Sequence, residues 1–183
     1  MTDPHTDRVA RLMSAFDEAM GRLITRVERA GENGSAAPAA GGWSVSQIAW
    51  HVATVNDSFA SIMAEGRGTV PAASGFVERT WRDIVAGMPP KLEAPRSARP
   101  PELVDAQEAL VRLRESAGRV RAAIAGLTPE RAGMCLHSGI VGTISVYQVA
   151  EWATAHAIRH NWQAKRALGE ATTREAGRPS GAA

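Results

Sequence analysis

The sequence predicts an all-α protein, a four-helix bundle. Four long segments repeat apolar residues at steps of three and four, the spacing of one buried helix face. Glycine- and proline-rich stretches separate them, and two of the four open on the same Ser-x-x-Gln start. At 183 residues, 44% hydrophobic and 22% charged, the chain suits one globular domain with a continuous core.

The first helix runs from about Thr6 to Ala30, with Val9, Leu12, Phe16, Met20, Leu23 and Val27 along one face. Gly31, Gly34 and small residues through Gly42 break it. Ser44 opens the second, with Gln47 placed to complete a capping box. Its inward stripe is Ile48, His51/Val52, Val55, Phe59 and Ile62, and Gly66 or Gly68 ends it. A long connection, Arg67 to Pro101, follows, with a short helix around Phe76–Val85 anchored by Trp81 and prolines at 89, 90, 95, 100 and 101. An interval of that length inside a compact domain is a crossover, a lid or a binding loop.

The third helix spans about Glu102 to Ala125, with Leu103, Ala106, Leu110, Leu113, Ala117, Val120 and Ile124 on its stripe, and Gly126 stops it. Thr128-Pro129-Glu130 can start one further turn. Ser145 and Gln148 form a second capping box, opening a fourth helix whose inward face is Val149, Trp152/Ala153, His156, His160 and Ala164 and which ends near Gly169. The domain therefore covers residues 1–169, and 170–183, small and polar, reads as a disordered tail.

Composition excludes several classes. The single Cys135 cannot form an internal disulfide, which fits a reducing cytoplasm. No apolar run approaches the roughly 20 residues that span a bilayer, and the N-terminus lacks a signal-peptide layout. Net charge is only +2 and the arginines are scattered beside acids, so neither a membrane nor a nucleic-acid partner is expected.

The chemistry concentrates in histidine. His156 and His160 stand four apart, one turn on a single helix face, and can close on one divalent ion through neutral nitrogens. His51 lies on the apolar face of another helix and could complete the set; three separately satisfied core histidines are the alternative. No His-Glu-x-x-His base is present, and Glu151 and Asp57 sit at offsets that turn them off the ligand face. A thiol substrate suits such a site, because coordination deprotonates it near neutral pH. Trp152 and Arg159 are candidates for the pocket wall and for an anionic substrate. His137 could line the cleft mouth or simply serve its turn, and Cys135 reads as a small buried hydrophobe.

Three stretches carry a resemblance. Trp43-Ser44-Val45-Ser46-Gln47-Ile48-Ala49-Trp50-His51-Val52, the turn His137-Ser138-Gly139-Ile140-Val141-Gly142-Thr143-Ile144-Ser145, and His156-Ala157-Ile158-Arg159-His160-Asn161-Trp162-Gln163 resemble, in order and separation, the conserved blocks of the DinB/YfiT-like superfamily. The chain departs at Ser138, where the family turn usually has Pro. The resemblance implies an up-down-down-up four-helix bundle with a long crossover between helices two and three. It further implies a divalent metal, commonly zinc or nickel, held by His51, His156 and His160. It also implies a homodimer, and S-transfer of a low-molecular-weight thiol to an electrophilic small molecule. A non-catalytic metal- or ligand-binding bundle and a metal-dependent hydrolase stay open beside that reading.

Overall fold

In the computed structural model, which describes residues 3–39, 41–88 and 92–170, four helices form the body of the molecule. These are α1 (Pro4–Ala30), α2 (Val45–Glu65), α4 (Ala106–Ala125) and α6 (Val146–Ala167). Between them lie β1 (Thr69–Val70), α3 (Trp81–Ala86), α5 (Pro129–Ala132), β2 (Cys135–Ser138) and β3 (Gly142–Ser145). The tail expected over 170–183 lies, after Glu170, outside the described residues.

Each long helix starts where a side chain can satisfy its first free amides. Asp3 caps α1, Asp105 caps α4, and complete capping boxes open α2 (Ser44/Gln47) and α6 (Ser145/Gln148). At the far end of α2, Gly66 takes φ +73°, which only glycine adopts without strain, and its amide returns to the carbonyl of Ile62.

Paired contacts fix the helix directions. His5 meets Tyr147, Arg8 meets Glu151 and Arg26 meets Asn161, so α1 and α6 run parallel. Trp50 lies under Arg112, Asn56 bonds Ser116 and Asp57 pairs with Arg119, so α2 and α4 also run parallel. Asp17–Arg121 and Glu28–Arg114 set α1 against α4, while Phe59–Trp152 and His51–His160 set α2 against α6. The order along the chain is up-down-down-up. Phe16, Leu23, Ile48, Val52, Leu113, Ile124 and Val149 fill the centre, all essentially without solvent exposure.

Besides the short helix, which starts at Trp81 rather than Phe76 because Thr80 caps it, two features differ from expectation. The third long helix begins at Ala106 rather than Glu102, because Asp105 caps it; Leu103 falls outside and is 89% exposed. The buried stripe of α4 is accordingly Ala109, Leu113, Ser116, Val120 and Ile124. The second is a small antiparallel sheet, order β1-β2-β3, where the sequence suggests only a turn. Thr69 pairs with Leu136, and Leu136 pairs with Ile144. Strands of two to four residues show too little alternation to be read from sequence. In the turn between β2 and β3, Ser138 replaces the family's proline with a hydroxyl that accepts from the amides of Ile140 and Val141.

Candidate metal centre and its pocket

The spacing of His156 and His160 places both rings on one face of α6, and α2, running antiparallel, brings His51 opposite them. Ring centroids lie 4.3 Å apart for His156–His160, 4.7 Å for His51–His160 and 5.2 Å for His51–His156. One ligand nitrogen from each ring falls within 4.8 Å of the other two.

Two of the rings are oriented by hydrogen bonds on the side away from the cluster. His51 Nδ1–H donates to the carbonyl oxygen of Ala98 at 2.7 Å, and His160 Nδ1–H donates to Gln163 Oε1 at 2.8 Å. Each bond fixes the tautomer and leaves Nε2 as a free lone pair, the arrangement in which metal-ligating histidines are held. His156 Nδ1 is sealed from solvent and has no hydrogen-bond partner among the described residues. A buried polar atom without a partner costs about 1–3 kcal/mol, so the triad lacks one interaction that a cation can provide.

The electrostatics suit a cation ligand set. Burial lowers the pKa of His51, a shift that its bond to Ala98 opposes and the positive charge of Arg159 reinforces. Burial, and then the neighbouring rings of His160 and His51, holds His156 well below the ordinary imidazole value. His160 is pushed down to about 3, by burial first and then by His51, against the bond to Gln163. All three are neutral at pH 7, the state in which imidazole donates to a metal.

The triad forms the floor of a cavity of about 1250 Å³. Trp43, its ring tilted 4.9 Å from that of His51, and Phe59 and Trp152, 5.2 Å apart, wall it from the bundle side. Trp81, Val85, Met88, Leu92 and residues of the connection from Glu93 to Arg99 wall the other. Among the described lining residues Glu93 is the one acid, and it pairs with Arg99 at 3.3 Å. Glu151 bonds Arg8 at 3.3 Å and Asp57 bonds Arg119 at 2.8 Å, so neither is a base for this site.

The other expected pocket residues fall as follows. Trp152 and Arg159 line the cavity, Arg159 exposed at its edge. His137 also lines it, bonded through Nδ1 to Thr143 Oγ1 at 2.8 Å, and stands apart from the triad. Cys135 is buried in β2, and burial pushes its thiol pKa up, the opposite of an activated nucleophile. Trp43 and Trp81 line the cavity, whereas Phe76, where the short helix is expected to start, does not. The carbonyl of Ala98 has no sequence signature at all; Gln163 does, three residues after His160, where a helix brings i and i+3 together.

An antiparallel α2–α6 pair carrying three converging imidazoles over a deep pocket defines a helical-bundle protein with a candidate metal site. The chain belongs to the DinB superfamily, whose model matches residues 15–164. Among solved structures it is similar to YfiT from Bacillus subtilis, described as a probable metal-dependent hydrolase with an unusual four-helix bundle topology. That likeness has a TM-score of 0.54 at 18% identity and covers 93% of this chain and 92% of that one. No curated protein matches the chain.

Proposed function

We propose that the protein is a metal-dependent enzyme for a small molecule, with one divalent ion held by His51, His156 and His160. The observation that carries this reading is the triad itself: three neutral imidazoles, two locked with Nε2 free and one lacking a partner, at the floor of a substrate-sized cavity. Three imidazoles suit zinc, nickel, copper or iron, and the family resemblance favours zinc or nickel among them. A bound ion would supply Lewis acidity, lowering the pKa of a coordinating thiol or water toward neutrality.

Transfer of a low-molecular-weight thiol to an electrophilic small molecule fits the remaining residues better than hydrolysis. Hydrolysis is helped by a carboxylate that takes a proton from water, and the one acid among the described lining residues, Glu93, is paired with Arg99. A thiol needs no such base, and Trp43, Trp81 and Trp152 offer apolar surface to an electrophile while excluding water. We read the connection from Arg67 to Pro101 as a crossover, a reading supported by the parallel run of α2 and α4. Hydrolysis is the second reading, favoured by the description of the similar YfiT bundle.

Elemental analysis of untagged protein, followed by turnover of a thiol–electrophile panel and an ester–amide panel with and without chelator, tests both. The expected result is about one ion per chain, thiol transfer abolished by chelator, and loss of both metal and transfer in His156→Ala. Full occupancy and unchanged rates in His156→Ala would overturn the assignment; chelator-sensitive ester cleavage would select hydrolysis. Stoichiometric metal without turnover would leave a binding module.

A further inference from the structure

We propose that Arg159 makes this cavity selective for carboxylates with an apolar body, its guanidinium taking the carboxylate while the aromatic walls take the rest. The proposal deepens the functional reading above, because it treats the triad as the reacting end of the same pocket.

The argument is one of charge balance. The charged arginines and acids that line the cavity, among the described residues, are Glu93, Arg99 and Arg159. Glu93 and Arg99 neutralise one another, and Arg99 Nε donates further to the carbonyl of Ala94 at 3.2 Å. The guanidinium of Arg159 has no hydrogen bond or ion pair among the described residues. It follows His156 by three positions and precedes His160 by one, and its positive field reaches all three rings. Among the described residues the edge of the cavity therefore carries one cation without an ion-pair partner.

A positive field between low-dielectric walls concentrates anions. A guanidinium gives a planar fork that matches a carboxylate through two charge-assisted bonds. A single guanidinium, with no second free cation among the described lining residues, matches one planar carboxylate group. The apolar side of the recognition is already built: Trp43, Phe59, Trp81 and Trp152 surround a space above the roughly 300–1,000 Å³ of common small-molecule sites.

The test uses 4-phenylbutyrate and its uncharged amide, 4-phenylbutyramide, titrated at pH 7 into the full chain while NMR follows the tryptophan indole N–H signals. The acid is expected to bind about tenfold or more tightly than the amide. Arg159→Gln should bring the ratio close to one, and Arg159→Lys should keep part of the preference. Equal affinities in the wild type, or a ratio that survives Arg159→Gln, would overturn the proposal. Repeating the titration after chelation separates the two readings. A preference that persists without metal and disappears in Arg159→Gln belongs to Arg159, even if the triad proves metal-free. A preference removed by chelator and kept in Arg159→Gln belongs to the ion and refutes the role of Arg159.

Discussion

Gln163 and Ala98 do the same work for two different histidines by different means. Gln163 offers a side-chain amide from within α6, whereas Ala98 offers a backbone carbonyl from the connection. A residue that fixes the tautomer of a ligand histidine acts through that ligand, and its loss commonly weakens metal affinity by about 10–100-fold. Gln163→Leu should therefore lower affinity by roughly that factor while helical content and Tm of the chelated protein stay close to wild type. Competition with a metallochromic chelator reads the affinity. An unchanged constant would mean that the His160 ring does not depend on Gln163 for its orientation. Ala98 cannot be tested by side-chain replacement in this way, which is why a sequence shows the first of these partners and hides the second.

At the scale of elements, the two capping boxes tie down more than the helices they open. Gln47 Oε1 accepts from the Ser44 amide, and its Nε2 donates to the carbonyls of Pro101 and Glu102 just before α4. Gln148 Oε1 accepts from the Ser145 amide, and its Nε2 donates to the carbonyl of Arg79 just before α3. Each glutamine thus holds one end of a helix and one point of the 66–105 connection. Gln148 is 1% exposed, so Gln148→Ala removes two hydrogen bonds, one of them to the buried Ser145 amide, and should cost about 2 kcal/mol, or roughly 4–8 °C in Tm. Gln47 bonds at the surface, where water can replace it, and Gln47→Ala should cost about half as much. Thermal unfolding of both variants checks the order, and a larger loss from Gln47 would contradict it. The Ser-x-x-Gln spacing shows the cap in the sequence, since that bond is local. The second bond spans 69 positions and leaves no local trace, and neither does the hairpin pairing His137 with Thr143. The ligand set is legible for the same reason as the caps: i and i+4 on one helix is a local relation, and His51 shares an apolar face that periodicity reveals.

For the molecule as a whole, the bundle places three uncharged imidazoles in its interior, and acid must act on that arrangement. In the unfolded chain a histidine takes up a proton near pH 6.5, whereas His160 in the fold does so only at about 3. Between those values the unfolded chain binds a proton that the native state refuses, so stability falls as pH drops through the window. Above pH 6.5 neither state binds it and the group contributes no pH dependence. The slope from one such histidine approaches roughly 1 kcal/mol per pH unit, and His51 and His156 shift in the same direction. Chelator-treated protein should hold a constant Tm from pH 8 to 7 and lose stability steeply below about pH 6.5. Carboxylates also titrate in acid, so the comparison that isolates the triad is His160→Gln, whose neutral side chain has no proton to gain. Its Tm should decline less steeply than wild type between pH 6 and 4.5, even if it starts lower. Parallel curves would mean that the His160 ring opens to solvent in the metal-free protein. The three rings would then be brought together by the ion, not by the packing of α2 against α6.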